Sequence, residues 1–319
     1  MAKKESLRSI SKRLGLSPST VYRSLNSCGD VSSETSACVR QLVSDGENRV
    51  SKWSSLDCAI ILPSKPNHFW RTGRVLFDNA LKGLSHRFFL YADPTDEKGF
   101  CSAFFAASSL HPKLAIAVAP DLSTAREALT KSSFPIFFFN ETFSLVNSFF
   151  FGSDPYADGY ALGQAFVKQY PQCRALLCLR SEGVSSLSDA RTEGFQTGAV
   201  GLNIAQTVSF DGFYKPYAAS LLARNLAELP PFDSVFCDTG NLPDLCLALQ
   251  KCRIPVSVPC VGFENSPLLD SYRNNGRPLL VSTQDMDRQV ECCTSAVRKY
   301  LTARVFPDQK YNTIPSLIV

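Results

Sequence analysis

Residues 7–26, LRSISKRLGLSPSTVYRSLN, decide how the chain reads. Leu7, Ile10 and Leu14 recur at helical spacing and give a first helix one apolar face. Gly15 follows, where a left-handed, helix-ending residue costs least. Ser17 suits an N-cap, and Pro18 suits the first helical position, where its missing N–H costs nothing. Val21 and Leu25 then pair at i, i+4 on a second helix. The pattern predicts a helix-turn-helix whose second helix would lie in a DNA major groove, its N-terminal residues at base edges. The same spacing also fits a two-helix piece of an ordinary α-domain.

Charge favours the first reading. Residues 1–30 carry Lys3, Lys4, Arg8, Lys12, Arg13 and Arg23 against Glu5 and Asp30, a net +4 that equals the formal charge of the whole chain. The rest of the chain is neutral as a group. A basic head on a neutral body suits a DNA reader joined to something else. A head that contacts a protein instead of DNA is the competing reading, and the basic charge speaks against it.

The run Leu16-Ser17-x-x-Thr20-Val21-x-Arg23-x-Leu25-Asn26, followed by Val31-Ser32-x-Glu34-Thr35 and Val39, resembles the head of the lactose-repressor (LacI/GalR) family of transcription regulators. That resemblance implies a third helix capped by Ser32, with Val39, Leu42 and Val43 covering the first two. Ser19 and Arg23 are expected at base edges and Lys12 and Thr20 on phosphates, with Ser17 and Asn26 as further DNA contacts. One short head reads few bases, so a homodimer on a pseudo-palindromic double-stranded DNA operator is expected.

At 319 residues, 45% hydrophobic and 19% charged, the chain has the composition of two or three compact globular units. No apolar run approaches the roughly 18–20 residues of a membrane span, and residues at the N-terminus do not form a signal peptide. A cytoplasmic protein without membrane attachment is expected. The twelve cysteines are scattered with no C-x-x-C pair, and the three histidines lie apart from them. Reduced thiols acting as small hydrophobes are expected, with no metal and no cofactor.

After a polar stretch at 44–55, apolar strand-like runs alternate with amphipathic ones. Strands are expected over 58–63, 88–92, 114–119, 135–139, 149–151, 175–179, 205–210, 234–237 and 258–262. Helices are expected over 69–84, 124–129, 157–169, 188–199, 216–228, 242–251 and 286–301. This alternation predicts an α/β fold of parallel sheets with helices on both faces, in two doubly wound lobes behind an all-α head. The units are residues 1–46, a linker at 47–57, and a body at 58–319. One lobe comprises about 58–155 and 286–306, the other about 156–285 and 307–319. Ligands of such folds sit beyond the carboxyl ends of the strands, here between the lobes.

Several residues stand just after those strands. Phe69 and Trp70 follow a strand that breaks at Pro63; they suit the C–H face of a sugar or the core at a helix start. Arg191, in Ser188-x-x-Arg191-x-x-Gly194-Phe195, can fork two ligand oxygens or make a solvated ion pair. Asp238 and Glu264 can accept from ligand hydroxyls or cap the next helix. The segment Pro278-Leu279-Leu280-Val281-Ser282-Thr283-Gln284 ends another apolar run.

In order and spacing this body resembles the effector domain of the same family, itself similar to periplasmic sugar-binding proteins. The resemblance implies a small-molecule effector, a carbohydrate, bound by Phe69 or Trp70, Arg191, Asp238 and Glu264, with Asn140 and Phe213 as further candidates. Cys237-Asp238 replaces the family's Asn-Asp, and Glu264 replaces its Asp. The linker departs most. Asn48-Arg49-Val50 matches the start of the family's hinge helix, but its Tyr and Pro are absent. The position of its minor-groove leucine wedge falls near Trp53 or Ser54. Asn48, Arg49 and Trp53 are therefore carried as DNA contacts.

No P-loop, dinucleotide-type glycine spacing or G-x-S-x-G elbow occurs, and no acid–base pair stands out, so no enzyme activity is expected.

Overall fold

Short apolar runs, buried on both faces, build two parallel sheets. The computed structural model describes residues 11, 16–25, 31–32, 35–36, 39, 57–63, 68–84, 87–92, 97–118, 123–140, 148–181, 186–210, 217–226, 228–229 and 231–319. In the first part of the chain one helix, α1 (Pro18–Leu25), is described.

The first sheet holds β1 (Cys58–Pro63), β2 (Arg87–Ala92), β3 (Leu114–Ala117), β4 (Ile136–Phe139) and β5 (Ser148–Gly152). The helices α2 (His68–Ala80), α3 (Glu97–Ser109) and α4 (Ser123–Thr130) connect them. Then come α5 (Pro155–Gln169), β6 (Ala175–Ser181), α6 (Ser186–Gly198), β7 (Asn203–Phe210), α7 (Ala218–Leu226), β8 (Ser234–Cys237), α8 (Leu242–Lys251) and β9 (Cys260–Phe263). A 3-10 turn and the short α9 (Asp270–Asn274) lead to β10 (Leu279–Thr283), the long α10 (Met286–Ala303), β11 (Tyr311–Thr313) and β12 (Leu317–Ile318).

Strand order is β11-β5-β4-β3-β1-β2 in one sheet and β12-β10-β9-β8-β6-β7 in the other. The two sheets thus repeat one doubly wound arrangement. Each order reverses once, between β1 and β3 and between β6 and β8, and the crevice at such a reversal is where ligands bind. All pairings are parallel except that of β12 with β10. Residues of β1, β3, β4, β8 and β9 are all buried, which is why those strands read as unbroken apolar runs.

Each sheet carries a core on both faces. Phe100, Phe104 and Phe138 belong to one side of the first sheet, and Phe77, Phe137, Phe139, Met286 and Val290 to the other. In the second sheet the helical side of α5 and α6 brings Leu162, Phe166 and Phe195 onto Phe236 and Phe263. The chain passes between sheets three times, after β5, after β10 and after β11. Helix α10 thus returns to the core of the first sheet. Strand β11 also joins the first sheet, where the sequence reading grouped 307–319 with the second lobe.

Helix α3 was not foreseen. Its Phe and Ala residues lie all round it, with Phe104 buried and Phe105 58% exposed, so it lacks a clean apolar stripe. Among the described residues, no helix is long and apolar enough to cross a membrane.

Candidate functional site

The carboxyl ends of β4 and β9 occupy equivalent places in the two sheets, and both end in the same way. Phe139 is followed by Asn140 and Phe263 by Glu264, each with a left-handed φ of 63°. Asn140 N donates to Phe151 O at 2.9 Å, and Glu264 N donates to Ser282 O at 2.8 Å. The backbone therefore turns outward beyond each strand while staying tied to its neighbour. Asn tolerates this conformation; for Glu it is strained and held by its surroundings.

Around Glu264 a polar cluster assembles. Arg191 Nη2 donates to Glu264 Oε1 at 3.0 Å, and Gln284 Nε2 donates to the same oxygen at 2.6 Å. Gln289 Nε2, on the first turns of α10, donates to Gln284 Oε1 at 3.1 Å. The Arg191 guanidinium lies 4.2 Å from the centroid of Phe263. Its side chain is only 5% exposed.

The position of Arg191 follows from its helix. Gly159 and Gly163 of α5 face Gly194 and Gly198 of α6, so the two backbones touch. A Cβ on Gly159 would strike Arg191 O and lie 2.9 Å from Phe195 N. One turn on, Phe195 stacks on Phe236 at 4.2 Å. The S-x-x-R-x-x-G-F segment thus pins the start of α6 against both α5 and the sheet.

Charge in this region is predominantly negative. Burial pushes the Glu264 carboxyl above its ordinary value, opposed by Arg191 and Gln284 and reinforced by Asp158. Asp158 is buried on α5, and Ser316, in the third crossing segment, donates to it through Oγ at 2.8 Å and through its backbone N at 3.3 Å. Asp238, fully buried after β8, lies 4.0 Å from Arg180 Nε, and Arg180 also pairs with Asp189. Three buried N–H groups of these residues, Asn140 Nδ2, Arg180 Nε and Arg191 Nε, have no hydrogen-bond acceptor among the described residues. Such donors are costly unless an oxygen meets them.

Asn140 and Glu264 directly follow β4 and β9, and Arg191 lies within α6 in direct contact with Glu264. Asp238 pairs with Arg180 instead. Phe69 and Trp70 are half-buried on the first sheet's core, Trp70 lying edge-on to Phe69 at 4.9 Å and to Phe139 at 6.5 Å. These rings thus pack on the core at the start of α2. Phe213 lies outside the described residues. Arg180, Asp158, Gln284 and Gln289 were not singled out as site residues. Only Gln284 carried a signal, as the polar residue ending a quoted strand segment. A hollow of about 480 Å3 lies elsewhere, against α5, the start of β10 and the chain's last residues.

The architecture is shared widely. GanP, a glucose-galactose binding protein from Geobacillus stearothermophilus, matches with a TM-score of 0.72 over 83% of this chain and 97% of its own, at 12% identity. The Caulobacter myo-inositol binding protein, solved with myo-inositol, matches at 0.71 over 83% and 94%, at 17% identity. The fold is that of periplasmic sugar-binding proteins. A LacI transcriptional regulator by assignment, from Bacteroides fragilis, matches at 0.70 over 83% of this chain and 97% of its own, at 16% identity. No family model and no curated protein sequence matches the chain.

Of the residues carried as DNA contacts, Ser17, Ser19, Thr20 and Arg23 are described. Ser17 Oγ accepts from Thr20 N at 3.0 Å at the start of α1, and Val21 is buried. Arg23 Nε donates to Ser19 O at 3.3 Å. Tyr22 Oη donates to Ala106 O of α3 at 2.5 Å. Lys12, Asn26, Asn48, Arg49 and Trp53 lie outside the described residues.

Proposed function

We propose that the chain is a DNA-binding transcription regulator whose operator affinity is set by a carbohydrate held between its two lobes. The carrying observation is one of combination: a basic head with a capped helix over Pro18–Leu25 precedes a body with the sugar-binding-protein fold. A structural neighbour of the same fold is assigned as a LacI regulator, which supports the pairing.

In this reading Asn140 from the first sheet and Arg191 with Glu264 from the second present hydrogen-bonding groups to ligand hydroxyls. Half-buried Trp70 and Phe69 offer an apolar edge. The chain is not an enzyme. Ligand binding alters lobe closure, and closure alters the spacing of two heads in a homodimer on a pseudo-palindromic site. The head reads bases with Ser19 and Arg23 and phosphates with Lys12 and Thr20. Trp53 takes the place of the leucine wedge in the hinge.

Selection of duplexes from a random pool by the full chain tests the DNA half. Recovery of a two-fold-symmetric sequence is expected, with release or tightening by a sugar. Failure to enrich any duplex would favour a head that docks on protein. Trp53→Ala should reduce operator bending in a circular-permutation mobility assay; unchanged bending would remove the wedge.

A further inference from the structure

We infer that Glu264 is a built-in counter-ion that restricts the cleft to uncharged polyhydroxylated ligands and turns away sugar acids and sugar phosphates. This rests on the carbohydrate reading of the same cleft. A buried guanidinium beside an aromatic ring is ordinarily a receptor for carboxylate or phosphate, which it grips with two N–H groups. Arg191 is placed that way but already spends Nη2 on Glu264 at 3.0 Å. Gln284 delivers a second donor to the same oxygen at 2.6 Å. The site therefore supplies its own anion.

Neighbouring charges reinforce the point. Asp158 and Asp238 are both buried; Asp158 acts on the Glu264 carboxyl, and Asp238 lies 4.0 Å from Arg180 Nε. Arg180, 28% exposed in its side chain, is divided between Asp189 and Asp238.

The uncommitted groups are of mixed kind. Asn140 Nδ2, Arg180 Nε and Arg191 Nε are donors, Gln289 Oε1 is an acceptor, and Thr192 Oγ1 and Thr283 Oγ1 are both. Hydroxyls, which donate and accept, complement such a set. A phosphate or carboxylate only accepts and would meet the Glu264 carboxylate.

Isothermal titration of the full chain with matched probes tests this: D-glucose, D-glucuronate and D-glucose 6-phosphate, and myo-inositol with its monophosphate. The neutral member of each set should bind at least about tenfold more tightly than its acid or phosphate. Glu264→Gln frees Arg191 and keeps the shape, so the anionic members should gain at least about tenfold relative to the neutral ones. A merely structural role for Glu264 would weaken all probes alike. Tighter binding of an anionic member by the unaltered chain, or a uniform loss in Glu264→Gln, overturns the inference. If no probe of either class binds the unaltered chain, the carbohydrate reading itself fails, and the inference with it.

Discussion

Replacing Gly194 by alanine should destabilise the protein and loosen its ligand site together. Gly194 and Gly198 on α6 lie one turn apart and face Gly159 and Gly163 on α5, with no side chain between the two helices. A Cβ on Gly194 would strike Tyr156 O and sit 3.0 Å from Tyr160 N, where ordinary contact begins at 3.4 Å. Both obstacles are helix backbone, so no rotamer change relieves them and the helices must part. Overpacking of this kind costs up to about 3 kcal/mol. The helical preference of alanine over glycine returns about 1 kcal/mol. A net loss of about 2 kcal/mol follows, or roughly 4–8 °C in Tm for a unit of this size. Arg191 lies one turn before Gly194 and hydrogen-bonds Glu264 at 3.0 Å, so moving α6 pulls it from its partner. Ligand affinity should fall by about tenfold or more. Urea denaturation with and without sugar reads both effects. Gly83→Ala is the control, because its Cβ would meet only Arg298 Nη1 at 3.7 Å. If Gly194→Ala were as stable as the parent, the backbone contact of α5 with α6 would be refuted.

Other outcomes follow from the same geometry. The raised folded-state pKa of Glu264 means that its contribution to stability is fully present below its ordinary value of 4.5 and is lost as pH rises through the folded value. The unfolding free energy of the parent relative to Glu264→Gln should therefore decline with rising pH; a rise would contradict the assignment. Gln284→Leu strips a donor from Glu264 and leaves buried Gln289 Nε2 without its acceptor, for a loss of about 1–3 kcal/mol by chemical denaturation. No loss would remove the chain of bonds linking Glu264 to α10. Of the ten described cysteines, only Cys252 and Cys292 are even partly exposed. Burial pushes Cys178 and Cys237 up to about 12. Peptide mapping after brief alkylation should find label on Cys252 and Cys292 before the other described thiols; early labelling of Cys237 would be inconsistent with this core.

How much of this could be read in advance depended on whether a signal was local. The strands at 58–63, 136–139 and 234–237 are short apolar runs buried on both faces, and such runs announce themselves. Arg191 was legible because Gly194 and Phe195 each do a local job, one admitting α5 and the other stacking on Phe236. The helix Glu97–Ser109 was not legible, because apolar residues surround it. The cluster of Glu264 with Gln284 and Gln289, and the bonds from Asp158 to Ser316, arise where the chain crosses between sheets. Residues 158 and 316, far apart in sequence, meet only through the topology, so no spacing marks them. The left-handed turn at Glu264 is equally silent, since glutamate does not favour it.

The account stands on a ligand held by both lobes at once, and calorimetric titration of a neutral sugar into the parent, Asn140→Ala and Arg191→Met tests that directly. The two residues end strands or begin helices of different sheets, so they probe the lobes independently. Both variants, shown folded by their melts, should bind at least about tenfold more weakly than the parent. Parent-like affinity in either one would place the ligand outside the cleft and contradict the account.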